Sequence, residues 1–290
     1  MGRTPSRGRP GFTSLSRMAT RVLHLSDLHT GTKEDPAVQH ALARLVERVQ
    51  PKLVVASGDL THRGRREQHE RAAAFLRGFG VPVLAIPGNH DIPYTFPARF
   101  TSTFAEFERH WETTEPLYRT GELFVLGLNS VRAWRQQSGR LRPEQLRRAA
   151  EQLAGAPPGA LRVVALHHHL LGAPWRSRKK PVARRNDVLR SLVEAGAELI
   201  LAGHIHQAAV SERRDFAVAQ GGENGVVVAI APGLGQPRPN RLGEARGLHV
   251  FEVEPRSIRV ETYVWREEDW GLTAARTFPR GREPLSIEPI

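Results

Sequence analysis

The sequence predicts an α/β protein in which two mixed β-sheets pack face to face with helices on the outer sides. Three observations carry this. Short apolar runs alternate with helical periodicity from residue 22 to residue 203, as in folds built from parallel strands and crossover helices. After residue 203 the pattern changes to strands separated by turns, without long helices. The 290 residues, 40% of them hydrophobic, are enough to bury a full core.

The first six strands are read at 22–26, 53–57, 83–86, 123–128, 163–166 and 199–202. They are rich in Val, Leu and Ile and lack alternation, as expected of strands buried on both faces. The first helix, 36–50, places Val38, Leu42, Leu45 and Val49 on one stripe. Asp35 suits its N-cap, and Pro36 suits the first helical position, where a missing N–H costs nothing. A second helix at 65–78 carries Ala72, Phe75, Leu76 and Phe79 toward a core. Helices at 143–153 and 186–195 follow, and Gly196 stops the latter. Further strands are read at 207–214, 226–231, 248–253 and 258–264, with 232–243 as a long Pro/Gly-rich loop. The expected organisation is one domain over 21–270, a disordered basic tail at 1–20 and a loosely packed C-terminal tail at 271–290.

Composition narrows the chemistry. There are no cysteines, so disulfides and thiolate metal ligands are excluded, and a cytoplasmic location is expected. Any metal must be held by imidazole, carboxylate and amide groups, a set that suits Mn, Fe or Zn. The formal net charge is +12, and residues 1–20 carry Arg3, Arg7, Arg9 and Arg17 with no acid. That segment either binds nucleic acid or is a solvated leader, and Met18 offers an alternative start. It lacks the apolar core of a signal peptide, and no apolar stretch approaches the length of a membrane span.

Five short strings carry the chemistry: Asp27-Leu28-His29, Gly58-Asp59, Gly88-Asn89-His90-Asp91, His167-His168-His169 and Gly203-His204-Ile205-His206. Each follows an apolar strand run, and ligands gather at the carboxyl ends of strands in α/β folds. Residues dispersed over 180 positions can therefore meet on one rim. The pairs Asp27/His29 and His204/His206 can each aim two side chains into one pocket. Glycines at 58, 88 and 203 permit tight turns and close backbone approach. Singly, each string also fits a turn or a solvated cluster; together they supply oxygen and nitrogen ligands for a two-metal hydrolytic centre. His24 lies within the first strand and reads as a core or supporting residue.

With these strings the chain resembles the calcineurin-like metallophosphoesterases, over about residues 21–265, and within them the bacterial class III 3′,5′-cyclic-nucleotide phosphodiesterases. The run Gly58-Asp59-Leu60-Thr61 with Arg63-Gly64, and its spacing to Pro87-Gly88-Asn89-His90-Asp91, are similar to that branch. The resemblance implies a four-layer α/β/β/α sandwich of the metallo-dependent phosphatase type. It implies two divalent or trivalent metal ions, one held by Asp27, His29 and His206, the other by Asn89, His167 and His204, with Asp59 bridging. It further implies hydrolysis of phosphodiester bonds by attack of a metal-bridging hydroxide. His90 would serve the leaving oxygen, and Asp91 would orient its imidazole, unless Asp91 is a turn-capping residue. The family string His-His-Pro-Pro is replaced here by His167-His168-His169-Leu170. The strand end aligns His167 as the ligand, with His168 as the alternative.

For substrate, the resemblance points to a cyclic nucleotide or a similar small diester. The first string also resembles the DNA-processing nucleases of this superfamily, which is the alternative reading. The segment 176–185, from Arg176 to Arg185, holds six basic residues and no acid. It either attracts a polyanionic substrate, including nucleic acid, or is a solvated basic loop. A scaffold without turnover would have no chemical need for the complete ligand set.

Overall fold

Unbroken Val/Leu/Ile runs have no polar face to offer solvent, and the chain buries them between layers. The computed structural model describes residues 19–173, 177, 179–213, 225–235 and 244–280. The basic leader up to residue 18, most of the loop 232–243, and Arg176 and Arg178 of the basic segment lie outside the described residues. The described elements are β1 (Thr20–Leu25), α1 (Pro36–Val49), β2 (Leu53–Ala56), α2 (Arg66–Arg77), β3 (Val83–Ala85), α3 (Ala98–Thr101), α4 (Ala105–Trp111), β4 (Leu117–Arg119) and β5 (Leu123–Leu128). They continue with α5 (Pro143–Ala154), β6 (Leu161–Leu166), α6 (Arg185–Glu194), β7 (Leu199–Ala202), β8 (Ala209–Arg213), β9 (Val226–Ile230), β10 (Gly247–Val253), β11 (Ser257–Arg266) and β12 (Asp269–Pro279).

Two six-stranded sheets result, ordered β12-β11-β10-β1-β2-β3 and β4-β5-β6-β7-β9-β8. Both are mixed. β1, β2 and β3 run parallel, while β10, β11 and β12 join them antiparallel. β5, β6, β7 and β9 run parallel between the antiparallel edges β4 and β8.

Three buried clusters define four layers. Val22, Val55, Ile86, Val125, Val163, Leu201 and Phe251 fill the space between the sheets. Leu42, Leu45, Ala72, Leu76 and Phe107 of α1, α2 and α4 cover the outer face of the first sheet. Leu153, Leu189 and Leu192 of α5 and α6 cover the second. The α/β/β/α sandwich is therefore present. The α1 stripe is buried as its periodicity requires, and the Asp35 side chain accepts from the Ala37 N–H at 3.1 Å, capping the helix.

The C-terminal region corrects one expectation. Residues expected to begin a loose tail at 271 instead form β12, an eleven-residue strand paired with β11 from Asp269 to Pro279. The strand was hard to read because it is an edge: only Trp270, Leu272 aside, and Phe278 carry large apolar side chains, and only those two are buried. Its backbone pairing, not its side chains, commits it to the sheet. The short elements α3, α4 and β4 also went unread, because each is too brief to show a period.

The Phe278→Ala substitution tests this. Phe278 is 4% exposed and packs between the sheets, so its truncation should cost about 3 kcal/mol in urea unfolding. An unchanged midpoint would mean that the segment contributes nothing to the fold.

Candidate metal centre

The five strings all lie where parallel strands end on the same side of the sandwich: after β1, β2 and β3 of one sheet and after β6 and β7 of the other. The loops after β1 and β2 are laced together by their backbones. Asp27 N–H donates to Gly58 O at 2.9 Å, His29 N–H to Asp59 O at 2.9 Å and Thr30 N–H to Leu60 O at 3.0 Å. Gly203 N–H donates to His167 O at 3.0 Å and joins the ends of β6 and β7.

The backbone turns sharply at the polar residues themselves. Asp27, His29, Asp59, His204 and His206 all have positive φ, between 50° and 74°. Left-handed backbone is uncommon outside glycine, is least unfavourable for Asp, Asn and His, and concentrates at functional sites. Here it ends each strand abruptly and swings the side chain into the space between the two sheet edges. Two glycines make room. A Cβ on Gly88 would overlap the Asp59 carboxylate, and one on Gly203 would overlap Ser26 Oγ and stand 2.7 Å from Asp27 Oδ2.

The seven candidate ligands fall into two groups. Asp27, His29 and His206 form one: His206 Nε2 lies 3.0 Å from Asp27 Oδ1 and 3.1 Å from His29 Nε2, and His29 Nε2 lies 3.8 Å from Asp27 Oδ1. Asp59, His167, His204 and Asn89 form the other. His167 Nε2 lies 3.4 Å from Asp59 Oδ1, 3.2 Å from Asn89 Oδ1 and 3.2 Å from His204 Nδ1. The second Asp59 oxygen, Oδ2, faces the first group, 3.9 Å from His29 Nε2.

Hydrogen bonding at the far side of each ring sets what faces inward. His167 Nδ1 is 2.8 Å from the Ser57 carbonyl and His204 Nε2 is 3.0 Å from the Gln137 carbonyl. A carbonyl can only accept, so both nitrogens donate, and the lone pairs of His167 Nε2 and His204 Nδ1 turn toward Asn89 Oδ1 and Asp59 Oδ1. Acceptors crowded at these distances repel unless a proton or a cation stands among them. Asp27 Oδ1 and Asp59 Oδ2 are moreover buried without a hydrogen-bond partner. Oxygen and imidazole donors with orphaned buried carboxylate oxygens are what a pair of first-row metal ions requires, so the residues fit the implied metals.

The electrostatics agree. Burial opposes ionisation of Asp27 and Asp59, but His206 and His167 respectively hold their carboxyls below the usual range. Burial pushes His29 down to about 3 and keeps His204 neutral well below its ordinary value. Burial also works against His167, yet the Asp59 carboxylate raises it to about 9. That proton relieves the acceptor cluster, and a metal ion would displace it.

His167, not His168, faces the donor group. His168 Nδ1 is 2.8 Å from Ser130 Oγ, and its ring packs behind His167 and His204. His24 is fully buried, with Nε2 2.8 Å from Ser57 Oγ. His90 stands beside the first group, its ring 4.8 Å from that of His29, and its backbone N–H donates to Asp59 Oδ1 at 2.8 Å.

Asp91 does not orient His90, which corrects the expectation for it. Its carboxylate accepts from the N–H groups of Gly88, Leu60 and Thr61 at 2.7–3.1 Å and from Thr61 Oγ1 at 2.9 Å, which locks the loops after β2 and β3 together. Asx-type capping of a tight turn claims all its acceptor capacity. The imidazole is held instead by residues that the motifs did not mark: His90 Nδ1 lies 2.8 Å from the His62 carbonyl and 2.7 Å from the Tyr94 hydroxyl. Ser26 was also missed. Its hydroxyl donates to Asp27 Oδ2 at 2.7 Å and, with His204 N–H at 2.9 Å, leaves only Oδ1 for the centre. Its position next to Asp27 was the one available signal.

Comparison with known proteins is consistent with this geometry. The family described as calcineurin-like phosphoesterase matches residues 20–208. The chain is 27% identical over 218 residues to the 3′,5′-cyclic adenosine monophosphate phosphodiesterase CpdA of Haemophilus influenzae, covering 68% of this chain and 74% of that protein. It is 25% identical over 202 residues to the protein of the same name from Escherichia coli strain K12, covering 64% and 70%. A dimetal phosphatase from Danio rerio shares the fold, with a TM-score of 0.63 at 14% identity, over 90% of this chain and 99% of that one. Among the described residues no helix is long and apolar enough to cross a membrane.

Metal content tests the ligand assignment. Protein reconstituted with Mn²⁺ should carry two ions per chain by elemental analysis, and Asp59→Ala or His167→Ala should reduce this to one or none. His168→Asn should retain both. The opposite outcome for the two histidines would transfer the ligand role to His168.

Proposed function

The chain belongs to the calcineurin-like phosphoesterases, and from that premise we propose that it is a two-metal phosphodiesterase acting on a cyclic nucleotide or a similar small diester. The observation that carries this is Asp59. Its Oδ1 faces the His167, His204 and Asn89 group and its Oδ2 faces the group of Asp27, His29 and His206. A single carboxylate shared in this way supports a bridging role. The names of the two curated relatives support the substrate class.

When bound, the metals, for which Mn, Fe or Zn fit the donors, would supply Lewis acidity toward the phosphate and a water acidified to near-neutral pKa. The remaining work falls to the chain. The imidazoles and the Asn89 amide bring no negative charge, so the candidate ligands include only two carboxylates and repel an anionic diester less than an all-carboxylate site would. Left-handed backbone, the bonds of the Ser26 hydroxyl and the His204 N–H to Asp27, and that of the His90 N–H to Asp59 hold the two carboxylates before substrate arrives. Such preorganisation avoids reorientation during the reaction. His90 donates from Nδ1 to the His62 carbonyl, so Nε2 faces the departing alkoxide and gives it a proton or hydrogen bond from the doubly protonated ring.

Mn²⁺-loaded protein should hydrolyse 3′,5′-cyclic AMP selectively over 2′,3′-cyclic AMP, bis(p-nitrophenyl) phosphate and single-stranded DNA. Cleavage of DNA alone would favour a nuclease role, and no turnover of any of them would leave a scaffold. The Asp59→Ala protein should be inactive. The His90→Ala protein should keep its metals and lose about 10²–10⁴-fold in kcat with an alkoxide leaving group, and much less with p-nitrophenolate. Equal losses for both leaving groups would remove His90 from the proton-transfer role.

A further inference from the structure

Six large hydrophobic side chains stand exposed among the described residues, and four are aromatic: Tyr94 (44%), Phe96 (82%), Phe100 (38%) and Trp134 (84%). Three of these rings pack in a chain, and the fourth, Tyr94, is bonded at the edge of the metal centre. Phe100 packs on Trp134 with ring centroids 4.3 Å apart at 35°, and Phe96 lies 6.5 Å from Phe100. Tyr94 reaches the centre directly through its bond to His90 Nδ1. The loop that carries Trp134 touches the centre three residues further on, where the Gln137 carbonyl accepts from His204 Nε2.

The two segments are built to hold these rings outward. Trp134 sits at the tip of a tight turn in which Arg135 N–H donates to Arg132 O at 2.9 Å. Arg99 is 6% exposed and pins this turn to the neighbouring segment, donating from Nε to Ala133 O at 2.8 Å and from Nη1 to Pro93 O at 2.9 Å. Neither 92–101 nor 131–142 contains an acid, whereas they carry Arg99, Arg132, Arg135, Arg140 and Arg142. An aromatic, acid-free rim beside a phosphate-type centre matches a ligand with an anionic end and a flat aromatic end.

We propose that this rim binds the nucleobase of a nucleotide whose phosphate lies at the two histidine–carboxylate groups. The proposal rests on the phosphodiesterase reading above and names the part of the substrate that the metals do not touch. Tyr94 stands next to His90, its hydroxyl 2.7 Å from His90 Nδ1. The open face of Trp134, backed by Phe100, extends the stacking surface outward. Stacking on rings is tolerant of base identity, because every base has a π-face. The site therefore favours nucleotides over base-free phosphates more than it separates one base from another.

Equilibrium binding to Mn²⁺-loaded protein tests this without turnover. Calorimetry should show adenosine 5′-monophosphate binding about tenfold more tightly than ribose 5-phosphate. The ratio should fall toward one in Trp134→Ala and stay near the wild-type value in Trp134→Phe. Trp134 is 84% exposed, so its truncation leaves the fold intact. Equal affinities in the wild type, absence of binding by either compound, or a ratio unchanged by Trp134→Ala would overturn the proposal. So would loss of sedimentation with phosphatidylglycerol vesicles in Trp134→Ala while the ratio persists, which would assign the rim to a membrane surface. A preserved ratio in a protein that hydrolyses no cyclic nucleotide would set aside the substrate proposed above and keep the base site. Turnover of cyclic AMP with equal affinities would do the reverse.

Discussion

Hydrogen-bond acceptors crowded into a buried space repel one another, and the rest of this structure is arranged around that constraint. His167 Nε2, His204 Nδ1, Asn89 Oδ1 and Asp59 Oδ1 converge because each ring spends its donor on a carbonyl behind it. Such a cluster is unfavourable unless a positive species stands within it. Without a metal the chain offers a proton, which is why the Asp59 carboxylate holds His167 up to about 9 despite its burial. The fold keeps the acceptors together because they are attached to strand ends that the core cannot move apart.

That core explains how the arrangement tolerates its own strain. Three hydrophobic layers fix β1, β2, β3, β6 and β7, and the loops leaving them are cross-bonded by backbone N–H groups and by the Asp91 carboxylate. Five left-handed polar residues are held against their conformational preference by these contacts. Asp91 thus acts on the centre through the backbone of the loops that present Asp59 and Asn89. Its burial raises its carboxyl pKa, and its bonds to N–H donors work in the opposite direction.

The chemistry is asymmetric across the site. One side is a closed wall of buried histidines, with His168 and His169 packed behind His167 and His204. The other side carries the partly buried His62 and His90 and the exposed Tyr94. A phosphate can therefore be gripped by rigid groups while the organic remainder of a substrate stays near solvent. The calcineurin-like phosphoesterase fold supplies the first part, and the segments after β3 and β5 supply the second.

The sequence by itself determined the apolar strands that carry the motifs, the order of the motifs and the identity of the donor groups. Apolar runs bounded by glycine can be read locally, and Asp, Asn and His at strand ends declare their chemistry without a partner. Only the tertiary structure decided what each polar group bonds. Asp91 follows His90 in the chain, yet its carboxylate turns to Leu60, Thr61 and Gly88, while Tyr94 and the His62 carbonyl take the imidazole. His167 and His168 are adjacent and chemically identical, and the bend that follows β6 sends one to the donor group and the other to Ser130. β12 is held by backbone pairing with β11, which leaves almost no trace in side-chain pattern. Hydrogen-bond partners and edge pairing depend on which segments meet in space, and residue type does not encode that meeting.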